Sequence, residues 1–77
     1  MPPTAALKQH GYAPHKPPRQ RRAILTRLIL TKTIKASTAY KYLLSLSHLY
    51  SPRSSYIHAL RGDARWIRKK YYDTRYW

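Results

Sequence analysis

Seventy-seven residues carry 16 Lys and Arg against only two acids, Asp63 and Asp73, which leaves a formal charge of +14. A chain this short buries only about 60 per cent of the surface its unfolded form exposes, so its length allows one small domain with tails, destabilised by self-repulsion unless a polyanion offsets it. The absence of cysteine excludes disulfides, thiol chemistry and the usual zinc-finger clamps, and no apolar run approaches the roughly 18 residues of a spanning helix.

Residues 1–18 hold all but one of the six prolines, a composition that opposes a regular helix and predicts an extended or polyproline II arm. Within it, Gly11 permits a turn with positive φ, and Tyr12 offers a ring that would anchor the arm on a partner's surface. His10 and His15 have no carboxylate or thiol nearby in sequence, so they read as exposed histidines rather than metal ligands.

At Arg19 the composition changes. Pro17 and Pro18 suit the entry to a helix, and Ile24, Leu25, Leu28 and Ile29 fall on one stripe at helical spacing. Arg19, Arg22 and Arg27 lie outside that stripe and Arg21 lies at its end. Repulsion among the cations that cluster at the start of the helix, added to the positive end of its dipole, would be relieved by a bound phosphate.

After a short connection, Ser37 reads as the N-cap of a second helix reaching Tyr50, with Ala39, Tyr42, Leu43, Leu46, Leu49 and Tyr50 on its apolar side. Lys41, Ser45 and His48 fall opposite. Pro52 breaks the pattern, and a third helix starts near Ser54. Its stripe runs through Tyr56, Ile57, Leu60, Ala64 and Ile67 or Trp66, and the helix is expected to continue through Gly62 at a cost of about 1 kcal/mol. Arg61-Gly62-Asp63 spells an integrin-binding tripeptide, but a helix leaves no adhesion loop there.

Beyond Trp66 come Arg68, Lys69 and Lys70, and the chain ends on Tyr76 and Trp77. Cations neutralise phosphate while rings pack on bases, sugars or protein, so this segment suits an anionic, flat-faced partner. Trp66 and Ile67 are expected in the core, and Tyr12, Tyr76 and Trp77 on a partner. The plan is all-α: a small three-helix, helix-turn-helix-like bundle over residues 19–73, with an extended arm over 1–18 and an aromatic tail over 74–77.

Catalysis finds no footing in this pattern. General acid–base work needs a group tuned by its neighbours, and both carboxylates are flanked in sequence by cations that keep them ionised. There is no nucleophile elbow and no Gly-rich phosphate loop. No enzyme, cofactor, metal or small-molecule substrate is expected.

Taken in order, five landmarks resemble those of a family of small basic proteins of uncharacterised function encoded by large nucleocytoplasmic DNA viruses, the giant viruses. Leu7-Lys8-Gln9-His10-Gly11-Tyr12 is similar to that family's opening Leu-Lys-basic-aromatic-Gly-Tyr, and Arg21-Arg22-Ala23-Ile24-Leu25 to its Arg-Arg-Ala-Leu helix start. Tyr40-Lys41-Tyr42-Leu43 looks like a Tyr-Arg-Lys-Leu segment, Ser51-Pro52 like an Asn-Pro turn, and Asp63-Ala64-Arg65-Trp66-Ile67 like a closing Asp-x-x-Trp-Ile. The resemblance implies a viral setting, inside the virion and the infected host cell.

With a pI near 10.7, nucleic acid is the first partner to consider. The expectation is a sequence-nonspecific protein that neutralises and organises packaged DNA, duplex preferred, through Arg19, Arg21, Arg22, Arg27, Arg65, Arg68, Lys69 and Lys70. Eight such contacts would give a slope of log affinity on log salt near −7, from roughly −0.9 per phosphate. The rival readings are a minor capsid or internal scaffold protein threading between the other proteins of a large assembly, a small organellar (mitochondrial) ribosomal protein touching rRNA backbone, and an interfacial cationic peptide on anionic lipid.

Overall fold

Three helices carry the chain in the computed structural model, which describes residues 7–72 and 75–77. Helix α1 spans Pro18–Leu30, α2 Ala36–Ser47 and α3 Ser55–Tyr71. Residues 7–9 are also helical, and the described residues contain no strand. The bundle expected from the apolar stripes is thus the one observed. Met1 to Ala6, Asp73, Thr74 and the boundary drawn between residues 73 and 74 lie outside the described residues.

Pro17 caps α1 and Pro18 occupies its first turn, where a missing N–H costs nothing. Leu25, Leu28 and Ile29 face the core, and so does Arg21, one turn before Leu25 on the same stripe. The helix ends at Leu30 with Thr31 as its cap, and the left-handed backbone of Lys32 just beyond (φ 59°) lets its N–H reach Ile29 O and the N–H of Thr33 reach Leu28 O. Glycine is customary at this closing position, so Lys32 carries a backbone cost of about 1 kcal/mol.

Helix α2 departs from expectation at both ends. Ser37 lies inside the helix, not at its cap; the cap is Lys35, without a side-chain hydrogen bond. The N–H of Ala36 instead donates to Tyr76 O at 2.8 Å and that of Ser37 to Trp77 O at 3.3 Å, so the chain's own tail satisfies helix-end donors that would otherwise be orphaned. At the other end, Ser47 Oγ donates to Leu44 O at 2.6 Å, and His48 and Leu49 close back with three-residue bonds. This competition with the helical ladder stops α2 short of Tyr50 and leaves Leu49 68% exposed.

Helix α3 starts as expected, with Ser54 Oγ accepting from the Tyr56 N–H, and joins the core through Leu60, Ala64 and Ile67. It runs unbroken through Gly62. A Cβ built at Gly62 meets nothing within 4 Å, so Gly62→Ala should add about 1 kcal/mol of stability by removing backbone entropy from the unfolded chain. A midpoint in chemical denaturation that stays put or falls would show that this glycine serves a packing role.

The arm is the largest departure. Gly11 takes positive φ (89°), as its residue type predicts, but the segment does not extend away from the bundle. The N–H groups of Gly11 and Tyr12 reach back to Lys8 O and Leu7 O, closing a helical turn, and Leu7 and Tyr12 are buried in the core. The radius of gyration, 11.4 Å, matches the roughly 11.5 Å of a compact chain of this length. Proline content alone predicts an extended arm; burial of two apolar side chains overrides it. No helix among the described residues is long and apolar enough to cross a membrane.

Candidate nucleic-acid interface

The geometry begins with an acid that never reaches the surface. Asp63 is wholly buried on α3, where the integrin-like tripeptide is therefore closed to any receptor. A buried carboxylate is tolerated only when paired and hydrogen-bonded. Arg21 Nε donates to Asp63 Oδ2 at 2.7 Å, its second nitrogen reaches Oδ1 at 3.3 Å, and the Tyr12 hydroxyl donates to Oδ2 at 2.6 Å. Arg22 Nε stands 3.5 Å from Oδ1. Arg21 also donates to Lys16 O at 2.7 Å, so one carboxylate gathers the arm, α1 and α3.

Two expectations are corrected here. Arg21 is no phosphate contact, because it is buried and its guanidinium already faces a carboxylate. Tyr12 does not dock on a partner, because its ring fills its own core and its hydroxyl completes the same cluster. The hydrogen bond to Asp63 holds the Arg21 guanidinium above its ordinary value, against the opposing effect of burial.

Burial first, then the hydrogen bond to Asp63, raise the Tyr12 phenol far above its ordinary 10.0. A raised value means that the folded chain keeps a proton the unfolded chain loses. The stability it contributes is complete below about pH 10 and falls as pH climbs past that point. Urea titrations above about pH 10 should therefore show Tyr12→Phe losing stability less steeply than the parent, by up to about 1.4 kcal/mol per pH unit. Equal slopes would show that the fold does not hold the Tyr12 proton.

The tail also folds inward. Trp77 sits between Tyr40 of α2, with ring centroids 5.8 Å apart, and Tyr72 just past α3, at 6.0 Å. Tyr76 meets Tyr71 edge-on at 6.2 Å. Both rings expected on a partner are thus half-buried against their own bundle, since α2 needs acceptors for its first N–H groups and the tail main chain brings them. Ile67 is in the core as expected. Trp66 is only half-buried, with Arg22 at 5.5 Å and Lys70 at 5.0 Å over its ring.

The remaining cations fall into separate groups. Arg22 and Lys70 converge on Trp66 where α1 meets α3. Arg19 and Arg27 are exposed on the outer side of α1, where Arg27 borders a shallow depression with Gln20, Ala23 and Ile24. On α3, Arg65, Arg68 and Lys69 are exposed and share a depression with Tyr72. Arg61 continues that row and, with Arg65 and Arg68, lines a second hollow against Tyr40 and Leu44 of α2.

Positions 61, 65, 68, 69 and 72 recur at helical spacing on one side of α3, flanking the buried side formed by Ile57, Leu60, Asp63, Ala64 and Ile67. Arg61 was absent from the residues expected to contact phosphate, although its four-residue spacing to Arg65 is legible once α3 is continuous. One face of one helix therefore presents four cations, and the eight expected contacts do not share a surface. Compared with known proteins, the chain matches no family model, no curated protein and no solved structure.

Proposed function

We propose that this chain is a non-enzymatic, sequence-nonspecific nucleic-acid-binding protein that neutralises and organises packaged DNA in the virion of a large nucleocytoplasmic DNA virus. The observation that carries the reading is the outward row Arg61, Arg65, Arg68 and Lys69 on α3, four exposed cations, while the helix's acid, Asp63, lies on its buried side and is paired. Charges in such a row are free to replace the counterions of a phosphate backbone. The viral setting is supported by the five ordered motifs that resemble the giant-virus family.

Four contacts on one face, rather than eight, lower the expected salt slope for duplex DNA from about −7 to about −4. A titration of duplex affinity between about 50 and 200 mM salt tests this. A slope shallower than about −2 would end the reading, and a marked preference for folded RNA over duplex would move it to an rRNA-binding protein.

One observation favours the structural rival. A groove of about 510 Å³ beside Leu46, Tyr50 and Tyr56 adjoins the exposed Leu49, and the chain's +14 charge would complement an acidic segment of a larger protein. Co-sedimentation with capsid shells freed of DNA, lost in Leu49→Lys, would establish that second role.

A further inference from the structure

We propose that the hollow between Arg65, Arg68, Lys69 and Tyr72 takes one unpaired nucleotide, so that the protein holds single-stranded nucleic acid in preference to duplex. This rests on the nucleic-acid reading above and changes its expected preference from duplex to single strand. Tyr72 is 56% exposed, so one side of its ring is open to a ligand. Its contact with Trp77 at 6.0 Å, itself backed by Tyr40, braces the ring, so less side-chain freedom is lost when a ligand arrives.

Among the described residues, every charged one lining the hollow is a cation. The hollow is shallow and open, about 430 Å³ in volume, so it offers a surface on which a base can lie. An exposed ring among cations is the arrangement that receives a base on the aromatic face and its phosphate on the guanidinium groups. A duplex keeps its bases stacked inside and offers no such face, so Tyr72 adds nothing there. The outer side of α1 lacks this pairing, because Arg27 borders Gln20, Ala23 and Ile24 without a ring.

The test compares a thymidine oligonucleotide of about 12 residues with a duplex of equal length at one salt concentration. It uses the parent chain, Tyr72→Phe and Tyr72→Leu. One stacked base implies that the parent binds the single strand roughly tenfold or more tighter than the duplex, that Tyr72→Phe keeps this preference, and that Tyr72→Leu loses it. A parent that holds both forms equally, or a Tyr72→Leu variant that weakens both by the same factor, overturns the nucleotide site while leaving general phosphate binding intact. Binding to neither form overturns both readings together.

Discussion

Asp63→Ala is expected to remove about 3–5 kcal/mol of folding stability, the usual cost of leaving a buried charge without its partner. A chain of 77 residues has roughly 4–12 kcal/mol in all, so the variant should lose at least about a quarter of that total and unfold outright only if the parent lies at the low end. The loss has two parts. Arg21 keeps its burial and loses its carboxylate, and the Tyr12 hydroxyl loses the acceptor that ties the arm to α3. Urea unfolding followed by helical circular dichroism gives the measurement.

A companion variant separates charge from packing. Combining Asp63→Leu, Arg21→Met and Tyr12→Phe replaces the cluster by apolar groups of similar size, and buried ion pairs so replaced often cost little or stabilise. The triple variant should therefore recover most of what Asp63→Ala loses. If Asp63→Ala unfolds within about 1 kcal/mol of the parent, the cluster does not hold the arm, and the apolar contacts of Leu7 and Tyr12 suffice.

The second large effect concerns binding. Replacing Arg61, Arg65, Arg68 and Lys69 together by Gln should bring the salt slope for duplex DNA from about −4 close to zero, since each phosphate contact contributes roughly −0.9. The same change should leave helical content intact, because all four side chains are exposed, and it relieves like-charge repulsion. Replacing Arg19 and Arg27 by Gln on α1 should move the slope far less. If the two sets weaken binding equally, the charge acts as a diffuse cloud and α3 has no special part.

Much of this molecule is written in its periodicity. The stripes Leu25, Leu28, Ile29 and Ile57, Leu60, Ala64, Ile67 specify helices with one buried side, because apolar groups at 3.6-residue spacing leave water only that way. Pro17, Gly11 and Ser54 mark their local turns through restricted φ, permitted positive φ and a hydroxyl acceptor. Each of these acts within a few residues, so each is readable from the chain alone.

The sites depend on longer distances. Net charge by itself determined that an anionic partner should be sought, yet it could not tell Arg21 from Arg65, since both are cations in basic stretches. Only the packing of α1 on α3 decided that Arg21 faces Asp63, 42 residues away, while Arg65 faces water. In the same way Tyr12 entered the core and Trp77 packed against it because Asp63 and the first turn of α2 supply hydrogen-bond partners 51 and 40 residues distant. Charge and hydrophobic spacing are properties of the chain, whereas the choice of which cation is neutralised within and which is left for a ligand exists only after the helices have met.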